Sequence, residues 1–349
     1  MKKLLIALIG LLFSFTGAIA QEIHEQEHGL YVTKEITNQA TLGSQNRLVI
    51  RSAVNLSGKL NITSAPGRQV KISFTKQART DKSSKATDYI DLIGVTLTTV
   101  ADETRLEMRA PNPAPWNPET EAGIIEATLS VPPECSVEIE AQQFDVTAVG
   151  PIRGLVVASS LGGVDASNIT ELTDITTANR RVNLKDISGE IAVATSNSSI
   201  IAKDIINNKG QARFRNDGGE IKIQNFKGTI NLKNSFGRTD ITAFEPVGNS
   251  NYIRSSSGPI ILEIARLNEA QLVISNQYED IEITVPDTIS AYMSLKVDED
   301  GMIEATHFQF RTDLVERNRL NLHSGDGKGE ISGTVRGKGN IFIRGTKGD

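Results

Sequence analysis

The 349-residue chain carries a single cysteine, Cys135, which excludes an internal disulfide and any cysteine-based metal site. That lone thiol reads as a small buried hydrophobe. Aromatic residues are scarce, at 5% with one tryptophan. No block of Lys or Arg interrupts a balance of 37 basic against 42 acidic residues, net −5, so the clustered positive charge that nucleic-acid binding rests on is missing. Beyond Ala20 no apolar run approaches the roughly 20 residues that cross a bilayer, and no cysteine lies near that point to take a lipid. What is present is 38% hydrophobic and 23% charged residues, the range of a folded chain with ample material for a core.

The N-terminus reads Lys2-Lys3, then an apolar run from Leu4 to Phe15, then small residues ending Ala18-Ile19-Ala20 before Gln21. This is the layout of a secretory signal peptide over residues 1–20, and it predicts an exported protein of the periplasm, the outer cell surface or the extracellular space. No transmembrane segment is expected after cleavage.

Internal repetition sets the architecture. Apolar residues recur at Val157, Ile175, Val193, Phe214, Leu232, Ile253 and Ile274, with spacings of 18 or 21. Seven residues after each come Val164, Val182, Ile200, Ile221, Thr239, Ile260 and Ile281, and twelve after come Ile169, Ile187, Ile205, Phe226 and Phe244, with Ile264 one place early. Alternation around these positions gives two short strands per repeat, separated by turn formers such as Asn216-Asp217-Gly218-Gly219 and Ser255-Ser256-Ser257-Gly258. So short a unit cannot close a core alone, because burying five apolar side chains at roughly 1.5–3 kcal/mol each falls short of ordering about 20 residues at roughly 1.5 kcal/mol per residue. Stacking is therefore required. The sequence predicts an all-β, parallel β-solenoid of coils about 20 residues long, with irregular β caps at both ends.

One column supports that register without using hydrophobicity. Two residues after each reference stand Ser159, Thr177, Thr195, Asn216, Asn234, Ser255 and Asn276, all small hydrogen-bonding types, read as a side-chain ladder at a corner. The chain divides into a polar N-terminal tail (21–45), irregular β coils with a capping sheet (46–150), regular repeats (151–285), and C-terminal β coils with a cap (286–349). Tyr89 to Leu97 reads as a strand, and Gly325 to Gly348 as a hairpin-like close.

Segments Ser188-Gly189-Glu190-Ile191-Ala192-Val193, Gly218-Gly219-Glu220-Ile221-Lys222-Ile223 and Lys227-Gly228-Thr229-Ile230-Asn231-Leu232 resemble the Gly-turn and strand units of the bacterial putative-adhesin domain family. Leu48-Val49-Ile50 with Gly58-Lys59-Leu60-Asn61-Ile62 is similar to that family's first coil, and Val131-Pro132 to its strand-then-proline step. The resemblance implies an exported, adhesin-like β-solenoid of the bacterial envelope, with no catalytic residues to carry over.

Five features bear on chemistry. His24-Glu25-Gln26-Glu27-His28 has the zinc-protease spelling, but Gly29 follows at once and no periodic helix surrounds it, so a polar tail is expected. Asp186 and Asp204, flanked in the same column by Asn168 and Asn225, bring oxygens into line as calcium prefers, yet Lys185 and Lys203 precede them and a solvated charged edge is the expectation. Glu220 and Arg238 fall on adjacent rungs and read as a surface pair. Arg213, Arg215, Arg238 and Arg254 supply basic groups for a polysaccharide-processing enzyme, a lyase or hydrolase on a β-helix, but no three acids gather near them. Trp116, in the proline-rich stretch Pro111 to Pro118, is a candidate ligand contact, an amphipathic ring on a stiff loop. The reading is an exported, non-catalytic, adhesin-like interaction scaffold with a glycan, envelope polymer or protein as partner. It assigns no catalytic residue, no metal ligand and no cofactor.

Overall fold

The computed structural model describes residues 22–158, 161–298 and 300–346. The expected signal peptide over 1–20 and Ser159 of the polar column lie outside them. Among the described residues 29 strands and one helix, Ser83–Leu92, are assigned, and the strands join in one hydrogen-bonded network whose pairings are mostly parallel.

Two parallel ladders run through the centre of the molecule, and they follow the spacings in the sequence. In one, Val157 pairs with Ile175, then Val193, Phe214, Leu232, Ile253 and Ile274 in turn. In the other, Val164 is followed by Val182, Ile200, Ile221, Thr239, Ile260 and Ile281. Alternate side chains point to opposite faces of a strand, so every residue named in these two ladders turns inward and is buried. A third, shorter ladder, Ile169, Ile187, Ile205, Phe226, Phe244 and Ile264, closes the cross-section. There Phe226 meets Phe214 edge-on at 6.2 Å and Phe244 at 5.8 Å. A register shift between Ile241 and Phe244 absorbs the one-residue displacement of Ile264.

The ends are built differently from the middle. The coil formed by Arg47–Ser52 and Leu56–Ser64 lies between Glu103–Arg109 with Ala122–Val131 on one side and Ser136–Glu140 with Phe144–Ala158 on the other. Spatial order therefore departs from chain order. The other end repeats the device: Gly329–Val335 and Ile341–Gly345 insert between Gln271–Asn276 with Ile281–Val285 and Ala291–Lys296 with Ile303–Thr306. Antiparallel strands then cover the stack, Gln69–Arg79 on Ala122–Val131 and Arg319–Ser324 on Ala291–Lys296, as exposed edges require.

Four sequence expectations are corrected. The expected polar tail over 21–45 is, from residue 22 on, largely strand: Ile23–Glu27, Leu30–Thr33 and Ile36–Thr41 are strands, and the last two pair antiparallel with Gln69–Arg79, whose free edge supplies the hydrogen bonds that their own polar sequence does not announce. Tyr89 does not begin a strand but sits in the helix, because Ala86, Tyr89, Ile90 and Ile93 have the three-and-four spacing of a helical face and are all buried; the strand is Gly94–Val100. The C-terminal close is not a hairpin, since its two strands pair in parallel with four others and barely touch each other. Arg238 pairs with Asp240 at 3.2 Å and not with Glu220.

Cys135 is fully buried, and desolvation pushes its thiol up to about 12, so the sulfur stays protonated and inert at neutral pH.

Candidate functional site

Trp116 does not offer its ring to a ligand. It is 4% exposed and packs edge-on against Tyr89 at 5.8 Å, with the proline-rich loop folded back over the cap. Gly123 makes this possible, because a Cβ there would come within 2.6 Å of the indole. Glu121 fastens the same loop. Its Oε1 accepts from Lys85 Nζ at 2.8 Å and Thr80 Oγ1 at 3.0 Å, and its Oε2 from Tyr89 Oη at 2.8 Å and Asn117 N at 3.0 Å. The Lys85 bond first, then the Asn117 N–H and the Tyr89 hydroxyl, hold the carboxyl at about 2 against an ordinary 4.5.

That cluster is a structural clamp, and its test is acid stability. A carboxylate with a depressed folded value stabilises above its unfolded value and ceases to as pH falls toward the folded one. Hydrogen bonds to charged groups contribute roughly 1.5–3 kcal/mol each and are not additive, so Glu121→Ala is expected to cost about 2–3 kcal/mol at neutral pH. The gap between native and variant, read by urea denaturation, should be full above pH 4.5 and close as pH falls toward 2.

The zinc-protease spelling runs along the extended strand Ile23–Glu27, which carries a bulge between Glu25 and Glu27, and ends with His28 in the turn that follows. His24 and His28 therefore lack the one-turn helical spacing by which the motif brings two imidazoles to one ion. The Asn168, Asp186, Asp204 and Asn225 column has a backbone explanation. All four residues, and Ala243 after them, have φ between 51° and 58°, the left-handed conformation that Asn and Asp tolerate, and they form the bend between the second and third ladders. Asn225 Nδ2 donates to Asp204 Oδ1 at 2.6 Å. Among the described residues no group of three or more His, Cys, Asp or Glu is placed to hold a metal ion.

The polar column is likewise structural along most of its length. Asn234 Nδ2 donates to the Gly237 carbonyl at 2.8 Å, Ser255 Oγ to that of Gly258 at 2.7 Å, and Asn276 Nδ2 to that of Gly258 at 2.9 Å, while Thr177 and Thr195 bond to each other at 3.1 Å. These bonds fix the turn that follows the first ladder.

The outward face of the first ladder is where charge collects. Register places Ala194, Arg215, Lys233, Arg254, Ser275, Thr334 and Lys296 in one outward column, rungs roughly 4.8 Å apart. The adjacent outward column holds Arg213 and Tyr252, and from Ala192 to Ser294 it contains no acid. The outward face of the second ladder differs, mixing Lys185, Lys203 and Lys222 with Asp165, Asp240 and Glu282. On the cationic face Arg213 is offset by Glu190 at 3.7 Å and Arg215 by Asp217 at 3.5 Å, whereas Lys233 and Arg254 form no ion pair among the described residues. Arg254 lies over the ring of Tyr252, 5.0 Å from its centre. The structure thus brings Arg213, Arg215 and Arg254 together, sets Arg238 apart, and adds Lys233.

Where this face meets the turn, a cavity of about 450 Å³ opens between Lys233, Arg254 and Arg336, with Ser256, Ser275 and Gln277 among its walls. Phe236 and Tyr278 stand on the neighbouring turns at 71% and 52% exposure. Lys233 and Arg254 each follow a reference position by one residue, so the periodicity carried that signal; Arg336 joins only because the C-terminal coil is inserted here.

No protein-family model matches the chain, and no curated protein does. Solved structures that it resembles include a putative cell adhesion protein from Clostridium sporogenes (TM-score 0.21, 11% identity, 90% of this chain and 100% of that one). A putative adhesin from Parabacteroides merdae gives a TM-score of 0.42 at 9% identity, covering 89% and 96%. A putative lipid binding protein from Parabacteroides distasonis gives 0.30 at 11%, covering 88% and 96%. At such scores these likenesses carry no argument, and the site rests on the chain's own residues. Among those described, no helix is long and apolar enough to cross a membrane.

Proposed function

We propose that the protein is an exported, non-catalytic β-solenoid that acts as an adhesin-like scaffold, presenting a rigid, repetitive face to a glycan or envelope polymer. The observation that carries this reading is the ladder itself. Its outward side chains repeat at a fixed rung spacing, a geometry suited to a partner that is also periodic. Export rests on the charged, apolar and small-residue order of positions 2–20. The polysaccharide-processing alternative would need carboxylates converging with a base, whereas the two carboxylates that reach the Arg213, Arg215 and Arg254 face, Glu190 and Asp217, are each paired with a different arginine.

The test pairs two assays on the purified protein. Co-sedimentation with envelope polymer should retain it, and incubation with anionic and neutral glycans should release neither unsaturated nor reducing ends. Turnover, or no retention by any envelope preparation, would sink the scaffold reading.

A further inference from the structure

We infer that the cavity between Lys233, Arg254 and Arg336 binds the acidic sugars of an anionic polysaccharide, an inference that rests on the scaffold reading above and names its partner. The charge arrangement is the first ground. Like charges opposite one another on adjacent strands are unfavourable, and Lys233 and Arg254 are such a pair, in register on neighbouring rungs. Elsewhere on this face the chain relieves the same repulsion with a carboxylate, as Asp217 does for Arg215 and Glu190 for Arg213. At the cavity it does not, although acids outnumber bases over the whole chain, 42 to 37. A cation cluster left without counter-charge in an acidic protein is a place for an anion from outside. Guanidinium groups match a carboxylate's two oxygens with paired N–H donors, which suits Arg254 and Arg336 to that group.

The second ground is the company these cations keep. Phe236 and Tyr278 project from turns two rungs apart, on either side of Ser257, and both rings are exposed. Flat exposed rings beside hydrogen-bonding groups are what a sugar uses, one face apolar and the rim hydroxylated. The Tyr278 ring is seated by Gly337, where a Cβ would come within 3.2 Å of it, and its hydroxyl is held by Gln277 Nε2 at 2.8 Å. Beneath, Asn234, Ser255 and Asn276 are tied to turn carbonyls, so the floor is fixed before anything binds. Nucleic acid fits less well, since its affinity comes from many phosphate contacts along a basic track, roughly 6–10 of them, and few unpaired cations stand here.

The experiment is calorimetric titration of the full chain with a galacturonate oligomer, with its methyl-esterified form as the uncharged control. The acid form should bind and weaken with added salt, and the ester should bind at least about tenfold more weakly. Lys233→Glu with Arg254→Glu should weaken the acid form by about tenfold or more, while Phe236→Ala should lower affinity without changing its salt dependence. Lys222→Glu, on the mixed-charge face, should bind as the native chain does. Unchanged thermal melts establish that the variants fold, all three carrying exposed substitutions. Undiminished binding by the double variant, equal binding of the ester, or a preference for anionic vesicles or single-stranded DNA would overturn the assignment. Retention of envelope polymer by the double variant would overturn this cavity and leave the scaffold reading standing. Cleavage of the oligomer would do the reverse.

Discussion

Ile221→Asp should unfold the stack at neutral pH, whereas Lys222→Asp one residue further on should leave it folded. Ile221 is fully buried, with Ile200 and Thr239 against it on the rungs before and after. Its replacement forfeits roughly 1.5–3 kcal/mol of burial and adds a carboxylate with no cation inside the core to meet it, several kcal/mol more. The total is comparable with the ~5–15 kcal/mol that holds a domain together. Because each coil leans on its neighbours, the loss is not confined to one rung but divides the stack into two shorter ones with new open ends. Lys222 is exposed and faces Asp240 across the ladder, so its replacement brings only like-charge repulsion in water, at most about 1 kcal/mol. Urea denaturation followed by circular dichroism reads both. Equal midpoints for the two variants would contradict the inward and outward alternation.

Deleting residues 329–346 should be as damaging, although only the end of the chain is removed. Ile331, Val335, Ile341 and Ile343 are fully buried, and losing their burial at roughly 1.5–3 kcal/mol each amounts to about 6–12 kcal/mol. The missing layer is not the last one. Its removal leaves Gln271–Asn276 and Ile281–Val285 with an open edge, takes from Ile303–Thr306 its one partner strand, and detaches the cap built on Ala291–Lys296. Hydrogen exchange should show protection lost over 271–324 and kept in the coils before about residue 246. An open parallel edge of this kind also pairs with other copies, so the truncated chain should sediment as aggregates. Normal protection over 291–296 would mean that the inserted coil does not bridge those layers.

The middle of the molecule was legible because one signal, inward residues 18 or 21 apart, fixed both strands and their partners at once. Even the small polar column was readable, since Asn234, Ser255 and Asn276 are chosen by the turn carbonyls they bind. The ends were not legible, because interleaving is a non-local decision: nothing near Gly329 says that it will lie against Leu267 and between strands begun at 271 and 291. The helix departs from the alternation of its surroundings, since Ala86, Tyr89, Ile90 and Ile93 obey the three-and-four spacing of a helical face. The Asn168 to Asn225 column offers oxygens in its sequence, but its cause is a left-handed bend. Trp116 stood out for its rarity, and its burial depends on an absent side chain at Gly123. Of the cavity, the strand cations followed from the repeat register, whereas Arg336 required the path of the final coil.

That final coil also decides how the molecule meets tension. A tether pulled at the carboxyl end would draw on Ile341–Gly345, a strand gripped on both flanks, by Ile281–Val285 and by Ile303–Thr306. Extraction then slides it lengthwise against two rows of bonds that must yield together, where an outermost strand would peel away one bond after another. That double grip stands between the pulled end and Arg336, the cavity residue nearest to it along the chain.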